Sequence, residues 1–120
     1  MVTTANAVFT LAVVWFVVHE LDAVRNHEWR FFVARLSLDD ETAYRAFTAL
    51  HVPLFVGLLS YGDVAGVQVG LDAFLIVHGG LHLGLRNHPL LTFEGWFSGL
   101  WIYGGTLLGA LHLVVLFGPG

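Results

Sequence analysis

Four long apolar segments dominate the chain, and shorter polar connections separate them. A membrane-spanning helix requires about 20 consecutive, mostly apolar residues. The pattern meets this length four times and predicts spans over residues 4–25, 43–61, 64–85 and 95–117. We therefore predict an all-α fold, an integral membrane four-helix bundle that forms a single domain over residues 1–120.

The connection between the first two spans is the longest and carries two local signals. His27-Glu28-Trp29-Arg30 predicts a short interfacial helical segment, because Trp and Arg suit the headgroup region. Ser37, with Asp40 three residues later, resembles a capping box and predicts the start of the second span. The acids that follow suit the positive end of that helix.

The basic residues predict the orientation of the bundle. With four spans, the first and third connections lie on the same face of the membrane. All five basic side chains are arginines at these two connections: Arg25, Arg30, Arg35, Arg45 and Arg86. The positive-inside rule makes this face cytoplasmic. The prediction is a multi-pass protein of the cytoplasmic membrane with both termini outside.

Composition narrows the function classes. Only 12% of the residues are charged, whereas a soluble domain has about 25%. The net charge of −4 argues against nucleic acid as a partner, since that requires a basic face. The chain has no cysteine, which excludes thiolate metal ligands and a cysteine nucleophile.

Many of the fourteen glycines lie within the spans at intervals of four residues. Small residues at this spacing let helix backbones approach closely in lipid. The pattern predicts tightly packed helix faces along Gly62/Gly66/Gly70, Gly80/Gly84, Gly95/Gly99 and Gly105/Gly109.

Seven histidines are unusual in so apolar a chain. Ionisable groups within spans usually face the bundle interior and often carry function. At a rise of about 1.5 Å per residue, one group of polar side chains lies between about 5 and 13 Å inside the arginine-marked face. His78 and His82 share one helical face, as do His19 and Asp22. The group comprises His19, Asp22, His51, His78 and His82, and we predict that it binds a metal ion.

The ligand types indicate the ion and its surroundings. Nitrogen-rich ligation suits a transition metal, with zinc or iron as the prediction, better than magnesium or calcium. Glu20 and Glu94 lie close to this layer and are the candidate catalytic residues, as general bases or as partners of the ligands.

Other polar residues have structural explanations beside functional ones. A single histidine in a membrane helix can be hydrogen-bonded to a hydroxyl or carbonyl group. His27 and His88 lie in connections and are expected at the interface. Asp72 lies near mid-bilayer, either as a protonated helix-bonding carboxyl or as half of a relay, with His112 as its nearest candidate partner.

Several short motifs together resemble the HXXEE-type membrane proteins of unknown function. They are His19-Glu20-Leu21-Asp22, His27-Glu28-Trp29-Arg30, His51-Val52-Pro53, His78-Gly-Gly-Leu-His82 and a late His112. The chain departs from the naming motif, because Asp22 and Ala23 stand where two glutamates are expected. The resemblance implies a membrane site rich in histidine and acid, and it specifies no substrate.

Three functions from different classes follow. The first is a metal-dependent enzyme, a hydrolase or oxidoreductase, acting on a hydrophobic or lipid-like small molecule near the cytoplasmic leaflet. The second is a haem b electron carrier with His51 and either His78 or His82 as axial ligands. The third is a non-catalytic accessory subunit of a larger membrane complex. The predicted partners are the lipid bilayer, a hydrophobic small molecule and further subunits in a homo- or hetero-oligomer.

Overall fold

The computed structural model describes residues 3–91, 93 and 95–119. Within these residues the chain is all-α and contains no strand. Its helices are α1 (Thr4–Arg25), α2 (Trp29–Phe32), α3 (Asp40–Ser60), α4 (Ala65–Gly84) and α5 (Gly95–Phe117). Four of them, all except α2, are long and apolar enough to cross a membrane. The predicted four-helix fold is confirmed, and the predicted spans agree with these helices to within three residues.

The starts of α1 and α3 follow from side-chain capping. Thr3 Oγ1 accepts a hydrogen bond from the Asn6 amide at 3.1 Å. Asp39, not Ser37, caps α3, and its Oδ1 accepts from the Thr42 amide at 2.7 Å. The capping box predicted at Ser37 is therefore wrong, because the carboxylate closer to the helix is the stronger acceptor. The predicted acids do occupy the first turn of α3.

Helix α5 packs closely against both α1 and α4, whereas α3 lies at the edge of the bundle. The central apolar cluster joins α1 and α4 through Phe9, Ala12, Phe16, Leu71 and Leu75. In α3 only Ala43 is fully buried. The outer surfaces expose many large apolar side chains, which suits hydrocarbon as the surrounding solvent.

Glycine permits the close approach of the helices at a few positions. A Cβ added at Gly79 would lie 1.8 Å from Thr106 Oγ1, and one at Gly109 would lie 3.0 Å from the Asp72 carbonyl oxygen. Tight packing is thus confirmed at Gly109. The prediction of tight packing is wrong for several other glycines, because a Cβ added to them would meet no described atom within 4 Å. These glycines are Gly66, Gly70, Gly80, Gly84 and Gly95.

The first and third connections meet at one end of the bundle. The rings of Phe31 and His88 lie with centroids 5.4 Å apart. Helix α2 is fixed to the start of α3, since Trp29 Nε1 and Arg30 Nε both donate to Asp40 Oδ1, at 3.2 and 2.8 Å. These contacts hold the residues just before α2 against the bundle.

Candidate metal centre

Four buried side chains from separate parts of the chain meet at this end of the bundle. Each contributes one ligand atom, and these atoms all lie within 4.8 Å of one another. The four are His19 from α1, Glu28 from the residue before α2, and His78 and His82 from α4. Such a spacing lets one ion contact all four.

The α4 histidines are aligned by helical geometry. Because His78 and His82 are four residues apart, their side chains lie one above the other on a single face. Their Nε2 atoms are 3.2 Å apart. Both point to the same oxygen, Glu28 Oε1, at 2.8 Å from His78 and 3.0 Å from His82.

A local turn brings Glu28 into the bundle. His27 adopts a left-handed conformation with φ 57°. The chain then folds back over the end of α1, where the Glu28 amide donates to the Ala23 carbonyl at 3.1 Å. Trp29 is also buried, and its bond to Asp40 holds the turn in place. As a result, Glu28 is only 2% exposed although it lies in a connection.

Glu28 is held in its charged form by its neighbours. Burial by itself raises the pKa of Glu28. The imidazoles of His19, His78 and His82 together outweigh that effect, so the pKa lies well below the ordinary value for a glutamate. An ionised carboxylate among three imidazoles is the state in which a cation is bound.

His19 has the features of an unfilled ligand. It is 2% exposed, and neither of its ring nitrogens forms a hydrogen bond to any described residue. Its Nε2 lies 3.5 Å from Glu28 Oε2 and 3.9 Å from Glu20 Oε1. Phe93 stacks on the His19 ring at 5.8 Å and also contacts the His82 ring. A buried imidazole without a partner is costly, and a metal ion would satisfy it.

The remaining predicted residues lie around this group. Glu20 Oε2 contacts His51 Nε2, while His51 Nδ1 lies 2.7 Å from the Phe47 carbonyl oxygen. Neither residue belongs to the four-residue group, and neither does Asp22, which is half-buried with Oδ2 unpartnered among the described residues. Glu94 lies outside the described residues.

The contacts of His51 bear on the haem hypothesis. Both of its ring nitrogens already have protein partners. The rings of His78 and His82, with centroids 4.5 Å apart, are in contact with each other. Nothing in these contacts favours axial ligation, and the haem carrier stays a prediction.

An apolar cavity adjoins the group between α1, α3 and α4. Its volume is about 290 Å³, near the lower limit for small-molecule sites. The polar side chains in its wall are Glu20, His51 and His78. The apolar part of the wall includes Phe16, Phe47, Leu50, Leu54 and Phe74. Since His78 belongs to both, the cavity and the four-residue group share a wall.

A second polar pair lies deeper in the bundle. Asp72 Oδ2 is 2.6 Å from His112 Nδ1, and both side chains are fully buried. The predicted partnership of these residues is confirmed. The Phe9 ring covers His112 at a centroid distance of 5.2 Å.

The chain matches a family over nearly its whole length. The family, described as a family of unknown function (DUF6713), matches residues 5–119. The chain belongs to DUF6713. No curated protein and no solved structure matches the chain significantly. A family of unknown function was expected, and this is confirmed, while kinship with the HXXEE-type proteins stays a prediction.

For this DUF6713 chain, sequence reasoning predicted His19, His78 and His82 in one layer but missed Glu28. The residue lies in a segment whose tryptophan and arginine indicate a membrane interface. One signal was present, since His27-Glu28 repeats the His19-Glu20 pair. The turn at His27 that buries Glu28 has no such signal, because residues other than glycine seldom adopt positive φ and carry no mark in the sequence when they do.

Proposed function

We propose that this protein is a metal-dependent membrane enzyme acting on a hydrophobic or lipid-like small molecule. One observation carries the proposal: a buried group of three histidines and one glutamate shares a wall with an apolar cavity. A purely structural polar cluster would not need an adjoining cavity. The reaction is proposed as hydrolysis or oxidation, the two classes that histidine-rich transition-metal sites commonly support.

The donor set supports zinc or iron as the ion. Three imidazole nitrogens and one carboxylate oxygen suit either metal, and magnesium or calcium would require mainly oxygen ligands. His19, Glu28, His78 and His82 would hold the ion. When bound, a zinc or iron ion supplies Lewis-acid or redox chemistry at this position.

The cavity supports an apolar substrate. It lies beside α3, the helix with the smallest buried face, so a molecule dissolved in the membrane needs to pass only one loosely packed helix. Its aromatic and aliphatic walls suit an apolar molecule. By the positive-inside rule, this end of the bundle is proposed to face the cytoplasmic leaflet, with both termini outside.

Glu20 and His51 form the polar end of the cavity together with His78. The contact between Glu20 Oε2 and His51 Nε2 lets this pair accept a proton from a bound molecule and hold it. The apolar wall orients the rest of the molecule. Glu20 is therefore proposed as the catalytic base.

The test is metal content after purification in mild detergent without a chelator. The wild type is expected to carry stoichiometric zinc or iron, because four buried donor atoms converge. Glu28→Ala, and His78→Ala combined with His82→Ala, are expected to lose it. Glu41→Ala and Asp63→Ala are matched controls at exposed positions and are expected to keep it.

Helical circular dichroism and gel filtration would verify that each variant is folded. Metal-free wild type from metal-replete cells would overturn the proposal. So would folded variants without the histidine pair that still bind stoichiometric metal.

A further inference from the structure

We infer that the centre holds two metal ions bridged by Glu28, the second bound by His19, Glu20, Glu28 and His51. This inference rests on the proposed function, since the second ion is proposed to bind only after the first has fixed Glu28 between the two positions. It adds a second metal position on the cavity side of the four-residue group, and with both positions filled His19 would bind the second ion while His78, His82 and Glu28 keep the first.

The two oxygens of Glu28 face different histidines. Oε1 is 2.8 Å from His78 and 3.0 Å from His82. Oε2 is turned toward His19 Nε2 at 3.5 Å. A carboxylate that directs each oxygen to a separate set of imidazoles has the arrangement of a bridging ligand. In two-metal sites the ions lie about 3.5–4 Å apart, a separation that one carboxylate spans.

His19 lies between two carboxylates. Its Nε2 is 3.5 Å from Glu28 and 3.9 Å from Glu20 Oε1, distances too long for direct hydrogen bonds. These atoms surround the nitrogen without satisfying it. A cation among them would contact the imidazole and both carboxylates, which the observed protein contacts cannot do.

His51 completes the second set of ligands. Its Nε2 contacts Glu20 Oε2, so Glu20 joins His51 on one side to His19 on the other. The second ion would take the position of the proton that Glu20 and His51 share when only the first position is filled, so Glu20 would be a base in the one-ion form and a ligand in the two-ion form. His51 Nδ1 lies 2.7 Å from the Phe47 carbonyl, which fixes the ring and leaves Nε2 as the ligand atom.

The two positions differ in access to the cavity. In the first, His78, His82 and Glu28 are at most 6% exposed. In the second, His51 and Glu20 are 18% and 12% exposed and line the cavity. The second ion would therefore be the one that a bound molecule meets, and the one that a chelator removes first.

Metal stoichiometry tests the inference directly. Purified protein is loaded with Zn²⁺, dialysed against metal-free buffer and analysed for bound zinc. We expect two equivalents for the wild type. Glu20→Ala and His51→Ala are expected to halve this value, keeping the ion held by His78, His82 and Glu28. Asp63→Ala, an exposed control, is expected to keep both.

A second measurement requires no variant. Cu²⁺ is added to metal-free wild type and followed by electron paramagnetic resonance. We expect an isolated-ion signal at the first equivalent and its loss through magnetic coupling at the second, because the ions share Glu28.

The outcomes separate the two proposals. If the wild type, Glu20→Ala and His51→Ala each bound one equivalent of zinc, the proposed function would stand but the second position would be overturned. Loss of all zinc from folded Glu20→Ala would also overturn it, since both residues would then serve a single site. No zinc in the wild type would overturn both proposals. An additive copper signal without coupling would contradict the Glu28 bridge.

Discussion

Glu28 Oε1 lies 2.8 Å from His78 Nε2, although fifty residues separate them along the chain. This contact fastens the first connection to α4, and the same carboxylate faces His19 on α1. The candidate metal centre is thus also a cross-link of the fold. Its ligands come from α1, from α4 and from the connection before α2, and they add a polar contact to the apolar cluster that already joins α1 and α4.

Removing Glu28 should destabilise the protein as well as abolish metal binding. Glu28→Ala leaves three buried imidazoles without their anionic partner, a change that costs about 3 kcal/mol in comparable buried pairs. Thermal unfolding in detergent would measure it. Glu41→Ala, which removes an exposed ion pair with Arg45, should leave the melting temperature nearly unchanged. Equal effects of the two substitutions would contradict the cross-link.

Removing the metal should also destabilise the protein. A ligand that binds only the folded state adds about 2.7 kcal/mol at a concentration one hundred times its dissociation constant. A chelator is therefore expected to lower the melting temperature of the wild type, and added zinc to restore it. In His82→Ala neither treatment should shift the transition. A chelator effect of the same size in that variant would place the stabilising ion elsewhere.

Two adjacent glycines on α4 should respond in opposite ways to alanine. A Cβ at Gly79 would lie 1.8 Å from Thr106 Oγ1, which donates to the Leu75 carbonyl at 3.0 Å. Gly79→Ala must either displace the Thr106 side chain from this hydrogen bond or separate α4 from α5, and is expected to cost about 1–3 kcal/mol. A Cβ at Gly80 would meet no described atom within 4 Å. Gly80→Ala should therefore be neutral or stabilising by up to about 1 kcal/mol, because alanine favours helix.

Thermal unfolding of Gly79→Ala and Gly80→Ala under the same conditions would measure the difference in their stability. If Gly79→Ala were as stable as Gly80→Ala, the close approach of α4 and α5 at Thr106 would be incorrect.

The Asp72–His112 pair should be energetically coupled. Each residue is fully buried, and the contact is 2.6 Å. Asp72→Ala or His112→Ala strands the other group in an apolar interior, at a cost of about 3–5 kcal/mol. The double variant should cost less than the sum of the single variants, since no unpaired group remains. Asp63→Ala, at an exposed position, is the control. Additive losses of stability would show that the two residues do not depend on each other.

Filling the cavity should block binding of apolar molecules without affecting the metal. Ala46 lines the cavity, whereas the nearby Ala49 is exposed and lies outside its wall. Ala46→Phe is expected to weaken binding of a fluorescent fatty-acid probe at least tenfold, and Ala49→Phe to leave it unchanged. Both variants should retain stoichiometric metal. Unchanged probe affinity in Ala46→Phe would argue against the cavity as the binding site.

Much of this architecture could be predicted from local patterns. Four apolar runs of sufficient length indicate four helices whatever their neighbours are, because each helix satisfies its own backbone in lipid. The four-residue spacing of His78 and His82 likewise places both rings on one face before any packing is known. The predicted depth of His19 in the bundle is similar to that of His78 and His82, so His19 was assigned to the same layer.

The partners across the bundle could not be predicted in this way. The depth of a residue along a helix follows from the residue count, but the rotation of the helix about its own axis depends on packing. His51 and Asp22 were predicted in the same layer, yet His51 contacts Glu20 and neither joins the four-residue group. The close glycine contacts show the same limit, since Gly79 lies against α5 and Gly80 does not.

The sequence by itself determined the number and length of the helices and the position of the polar side chains along each of them. These features depend only on intervals within a single chain segment. Only the tertiary structure decided which side chains complete the centre. Glu28 enters it because His27 takes a left-handed turn and Trp29 is bonded to Asp40 on α3. A loop conformation of this kind is selected by contacts between distant elements, and no local periodicity encodes it.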